Sequence, residues 1–298
     1  MVPAEVTFTL SANPIADLQE MWKYQFMQHA FEAGTFVAVL AGITGYFVVL
    51  RRSAFTAHAF SEIGFAGAAA SILIDVAPIV GLLAGSTAGG IAIAILGRRA
   101  TNRDTQIGIV LAFSLGLGLL FISLYSGYET EAYSILFGEI LGISTFNVIL
   151  TALASAVVLC VTGFVYRPLL FASLDEDVAE AKGLPMFALG TIFMVIVAVS
   201  VSFAVQVTGV LLIFSLMVTP AATAQYLARI PRRAMMISVA IAVISVWSGL
   251  FIAFYTPYPV SFFITAEAFG FYLIVRVVRL LLKPKKQTTE SETPSGLE

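Results

Sequence analysis

Arg51–Gly67 reads RRSAFTAHAFSEIGFAG. Two arginines open the stretch, the chain then turns apolar, and His58 and Glu62 follow four residues apart. On a helix that spacing stacks both side chains on one face, one turn apart. An imidazole and a carboxylate so placed suit a divalent cation such as Zn²⁺ or Mn²⁺, and they equally suit each other as a hydrogen-bonded pair. The surroundings of the stretch are almost entirely hydrophobic, so two ionisable groups within it need a reason to be there.

The whole chain shares that character. Of its 298 residues, 59% are hydrophobic and 11% charged, where a soluble domain carries about 25% charged residues. The mean hydropathy is +0.95, and several apolar runs exceed the roughly 18 residues that cross a bilayer as helix. The fold class is therefore all-α, a polytopic integral membrane protein embedded in a lipid bilayer. A net charge of −2 with scattered basic clusters gives no reason to expect nucleic acid as a partner. The lone cysteine, Cys160, permits no internal disulfide. Residues 1–20 have neither the basic start nor the apolar core of a cleavable signal peptide.

Outward from the opening stretch, hydrophobic runs predict eight to nine spans within a membrane domain of 32–282. They lie near 34–50, 54–74, 79–96, 105–126, 146–166, two within 186–227 split near Gln206–Gly209, 234–254 and 260–282. Residues 1–31, rich in aromatic side chains, read as an N-terminal interfacial segment, and the isolated His29 there reads as an interfacial side chain, not a ligand. The third span, GLLAGSTAGGIAIAIL, carries the small residues that let helices approach closely in lipid. AYSILFGEILGI, residues 132–143, is too short to span and predicts a re-entrant or interfacial segment. Residues 283–298 have a disordered composition.

Arg51/Arg52, Arg98/Arg99/Arg103, Arg167, Arg229/Arg232/Arg233 and Lys283/Lys285/Lys286 all fall on one side of this threading. The positive-inside rule makes that side cytoplasmic, with the N-terminus outside and the C-terminus inside. His58, Glu62, Glu139 and Glu267 then lie deep in apolar stretches. A charge at the bilayer centre costs about 2.5–3.5 kcal/mol on insertion scales and usually marks function. Glu62 lies nine residues past Ser53, and Glu267 nine past Tyr258 from the opposite side. At about 1.5 Å per residue each reaches roughly 13 Å into the membrane. His58, Glu62 and Glu267 are therefore the candidate metal-binding residues.

ASLDEDVAEAKGLP, beginning at Ala172, is a polar island. It predicts a short helix outside the bilayer at 173–183, with Ser173 as N-cap, acids in the first turn and Gly183 in the left-handed C-terminal position. Leu174, Val178 and Ala181 form an apolar face suited to docking in another protein's groove.

Four stretches together carry a family resemblance: RRSAFTAHAFSEIGFAGAA, RDTQIGIV, SLDEDVAEAKGLP, and TGVLLIFSLMVTPAATAQYLA with Gly209–Leu212 and Pro220–Ala224. From about Phe26 to Arg279 the chain resembles the membrane permease subunits of ABC importers for zinc, manganese and iron. Many members read Asp-Ala-x-Ser-His where this chain reads His58-Ala59-Phe60-Ser61-Glu62, so carboxylate and imidazole are kept but exchanged. The resemblance implies a transporter permease with no catalysis of its own and no permanently bound cofactor, the transported divalent metal ion being its cargo. It implies three protein partners: a second permease subunit forming a homodimer, an extracytoplasmic metal-binding protein, and a cytoplasmic ABC ATPase subunit. The ATPase would couple at Leu174, Asp175, Glu176, Ala179 and Gly183. The implied location is a bacterial plasma (inner) membrane. No G-x-x-x-x-G-K-[ST] loop occurs, so the nucleotide chemistry falls to the partner. The alternative within transport is a permease for a larger chelate, such as a siderophore or cobalamin. An intramembrane metalloenzyme ranks below both, since that chemistry usually needs three protein ligands and no HExxH motif exists.

Overall fold

The computed structural model describes residues 14–96, 103–125, 138 and 140–282. Among these, every regular element is a helix. They are α1 (Pro14–Met21), α2 (Gln25–Leu50), α3 (Ala54–Leu73), α4 (Pro78–Leu96), α5 (Arg103–Leu124) and α6 (Thr145–Leu174). There follow α7 (Glu176–Ala181), α8 (Met186–Thr208), α9 (Val210–Leu227), α10 (Pro231–Phe254) and α11 (Val260–Leu281). Six of these, α2, α5, α6, α8, α10 and α11, are long and apolar enough to cross a membrane. In lipid each helix satisfies its own backbone groups, which is why uninterrupted apolar runs become helices here.

Two helices form the interior. α2 packs against α6, α8, α9 and α10, and α8 packs against α2, α3, α4 and α6. α5, α6 and α11 lie outside, with most of their apolar side chains exposed, including Phe113, Phe146, Leu153, Phe164, Phe262 and Leu273. Apolar surface gains nothing by leaving lipid, so the helices associate through close packing and interhelical hydrogen bonds. Ser86 Oγ of α4 donates to the Phe60 carbonyl of α3 at 2.9 Å, and Ser238 Oγ of α10 to the Gly42 carbonyl of α2 at 2.9 Å. The glycines of α3 and α4 do the packing: a Cβ on Gly67 would collide with the Gly81 carbonyl oxygen, and a Cβ on Gly81 with that of Gly67.

Three boundaries differ from the apolar runs. α2 begins at Gln25, nine residues before the run at Gly34, because the polar turns Gln25–Phe31 continue the same helix. α6 does not stop at Tyr166 but runs 30 residues through Pro168 to Leu174. Proline removes only one hydrogen bond and leaves the Phe164 carbonyl without its usual donor, a defect a helix end can absorb near water. Ser173 therefore lies inside α6, donating to the Leu169 carbonyl, and the N-cap of the short helix is Asp175, whose Oδ1 accepts from Val178 N at 3.0 Å. The expected Ser173 cap is thus corrected by two residues, while Gly183 does take the left-handed conformation, φ +80°.

The break within 186–227 falls at Gly209, with φ +82° and ψ 162°. That region is essentially closed to residues with a Cβ. Gly209→Ala is expected to destabilise the protein by about 1–3 kcal/mol, seen as a lower melting temperature of the detergent-solubilised chain. An unchanged melting temperature would mean that the α8–α9 junction relaxes freely.

Most of the expected re-entrant segment, residues 132–137 and Glu139, lies outside the described residues, as do the tail at 283–298, residues 1–13 and the basic turn at 97–102.

Candidate functional site

α3 carries His58 and Glu62 on one face, as their spacing requires. The helix starts after Arg52, whose φ of +54° turns the chain sharply out of α2, with Ser53 Oγ donating to the Arg51 carbonyl at 3.2 Å. α4 and α5 flank α3, and α8 and α9 pack against it as well. Glu62 is 6% exposed and His58 half-buried. Neither the Nδ1 of His58 nor the Oε2 of Glu62 has a hydrogen-bond partner, and both atoms are buried. The two side chains therefore do not form the structural pair that their spacing also permits. What His58 meets instead is Phe214 of α9, edge-on, with ring centroids 5.2 Å apart. Phe214 stands on α9 just past the Gly209 break and is itself partly exposed.

The physical consequence is a pair of unsatisfied polar atoms inside a packed helix face. A buried carboxylate without donors is unfavourable unless it binds a proton or a cation. A half-buried imidazole one turn away presents a nitrogen lone pair in its neutral form. Together they offer two donors from one helix, and among the described residues no third His, Cys, Asp or Glu gathers with them.

Glu267 belongs to a different interface. α11 packs on α9 and α10, and the Glu267 carboxylate accepts a hydrogen bond from Ser248 Oγ of α10. The structure thus brings His58 and Glu62 together and gives Glu267 a partner of its own. His29 is structural: its Nδ1 lies 3.2 Å from the Ile143 carbonyl and its Nε2 3.3 Å from Thr145 Oγ1, tying α2 to the start of α6. Sequence reasoning missed Phe214. It also used Gln206 only to mark a boundary, although its Oε1 is buried and without a partner. A glutamine inside an otherwise apolar run was the available signal for the second; the first needed the packing of α9 on α3.

α7 is the other functional candidate. Ala179 is fully buried, in a small cluster with Ala172 of α6 and Leu189 of α8, packed by Phe171, Leu184 and Met186. That mooring fixes α7 to both long helices. Leu174, Val178 and Ala181 remain exposed, Leu174 at 62% and Val178 at 43%. Asp175, Glu176 and Gly183 are exposed beside them.

Such a bundle, with ionisable side chains carried inside it, defines a multi-pass helical membrane protein. Residues 23–279 match the profile of the ABC 3 transport family, and the chain belongs to that family. It is 28% identical to the high-affinity zinc uptake system membrane protein ZnuB of Buchnera aphidicola, over 87% of this chain and 100% of that one. It is 26% identical to the manganese transport system membrane protein MntC of Listeria monocytogenes, over 80% and 85%. Among solved structures, a chain of PsaBC from Streptococcus pneumoniae in complex with Fab superposes with a TM-score of 0.80 at 27% identity, covering 90% of this chain and all of that one.

Proposed function

We propose that this chain is the permease subunit of an ABC importer that moves a divalent transition metal, manganese or zinc, into the cell. The observation that carries the reading is the unpartnered Glu62 carboxylate beside His58 on a helix packed inside the bundle. Membership of the ABC 3 transport family and the zinc and manganese relatives support it. Iron, expected alongside them from the sequence, has no comparable support. A larger chelate is not favoured, because two close donors on one helix suit a small ion.

In this reading α3, α4 and α9 span the membrane together with the six longer helices, giving nine spans. The N-terminus is outside and the arginine-rich ends are cytoplasmic. A metal-binding protein delivers the ion from outside, and a second copy of the permease completes the pathway. Two protein donors leave the ion part of its water shell and hold it loosely, as conduction requires. Phe214, edge-on to His58, must give way for an ion to reach the imidazole. Glu267 is a further candidate on the path, reached only if its bond to Ser248 opens.

A partner ATPase docks on α7, against the exposed Leu174 and Val178. Because Ala179 is packed between α6 and α8, a displacement of α7 moves α8, and α8 packs on α3. Val178→Asp is expected to weaken capture of the ATPase by about tenfold and to uncouple ATP hydrolysis from uptake. Unchanged capture and coupling would remove α7 from the interface.

The class of cargo is tested with liposomes that hold the permease with its ATPase and binding protein. ATP-dependent uptake of free Mn²⁺ or Zn²⁺ is expected. Uptake of a ferric siderophore or cobalamin, with none of the free ions, would overturn the reading.

A further inference from the structure

At the end of α9 and the last turns of α11 lies a cleft of about 310 Å³, lined by Tyr226, Arg276, Arg279 and Leu280. Two guanidinium groups share it. Arg276 Nη1 donates to Tyr272 Oη at 2.7 Å and to Tyr226 Oη at 3.4 Å. Arg279 lies over the Tyr226 ring, 5.2 Å from its centroid. Among the described residues no carboxylate pairs with either arginine, and the only groups that orient them are these two tyrosines. Two permanent positive charges are thus held side by side by neutral rings, with their remaining N–H donors free to point outward. The exposed apolar side chains of Leu273, Val277 and Leu280 continue from the cleft along α11.

We infer that this cleft binds the phosphate of an anionic phospholipid headgroup, with the acyl chains lying along α11. Guanidinium forks match phosphate oxygens, and basic pockets between membrane helices at the interface select anionic headgroups. The aromatic frame lowers the cost of binding, because the arginines are ordered before the lipid arrives. Arg276 lies five residues from the end of α11, roughly 8 Å from it along the axis, a distance over which an arginine side chain snorkels to the headgroups. Only the choice of leaflet rests on the orientation proposed above; the phosphate chemistry does not.

The test is native mass spectrometry of the full-length chain in detergent, titrated with phosphatidylglycerol or phosphatidylcholine and, separately, with inorganic phosphate as competitor. The expected result is preferential retention of phosphatidylglycerol. Arg276→Gln and Arg279→Gln should each lower it by roughly fivefold, the effect of one basic residue at an anionic membrane surface. A control, Arg232→Gln with Arg233→Gln, removes two arginines outside the cleft and should keep the preference; each variant is checked for a monodisperse elution profile. Equal retention of the two lipids would overturn the inference. So would loss of preference in the control, which makes the effect one of general charge, or displacement of the lipid by millimolar phosphate. None of these outcomes depends on metal transport, so failure here leaves the proposed function untouched.

Discussion

Glu62→Gln is expected to lower metal uptake on the order of 100-fold while leaving the protein as stable as the wild type, or more so. Both halves follow from the same environment. The carboxylate is 6% exposed, and its Oε2 has no donor. An ionised carboxylate so placed costs about 2.5–3.5 kcal/mol on membrane insertion scales, and an amide of the same shape removes that cost. It also removes the negative charge that draws a cation to the site. Loss of groups that merely orient a metal ligand costs about 10–100-fold, so loss of the charged donor itself belongs at the upper end. Melting temperature and uptake, measured on the same preparation, separate the two effects. Uptake that falls only in step with stability would return Glu62 to a structural role.

Gly67→Leu is the variant expected to do most damage to the fold. The backbones of α3 and α4 touch at Gly67 and Gly81, where an added Cβ meets a carbonyl oxygen rather than a movable side chain. Overpacking a core costs about 1–3 kcal/mol where neighbours can shift, and here the obstruction is a helix backbone, so more than about 3 kcal/mol is expected. The readout is the yield of monodisperse protein from membranes. Gly116→Leu on α5 is the matched control, since a Cβ there meets nothing within 4 Å. Equal yields would mean that α3 and α4 can separate without loss, and the placement of His58 and Glu62 would lose its rigid support.

Much of this was legible in the sequence, and the reasons are particular. α3 was readable almost to the residue, because Arg51-Arg52 and Asp75 bracket an uninterrupted apolar helix. The break at Gly209 was readable because a glycine followed a polar Gln206 in an otherwise continuous run. The continuation of α6 through Pro168 was not, since a basic residue followed by proline ordinarily marks an end and the surrounding helices decide otherwise. That His58 and Glu62 share a face follows from helical period. That they leave each other unpaired, with Phe214 set against the imidazole, does not: side-chain direction within a packed bundle is a tertiary matter. The bond between Glu267 and Ser248 is of the same kind, arising from the seating of α11 on α10.

The most direct measurement is the initial rate of Mn²⁺ and Zn²⁺ uptake into liposomes holding the permease with its ATPase and binding protein. Wild type is compared with His58→Ala and Glu62→Gln, and ATP hydrolysis is followed in the same vesicles. The predicted result is uptake lost in both variants, with assembly and ATP hydrolysis retained. Wild-type uptake rates in both would contradict the account and place the ion path away from α3.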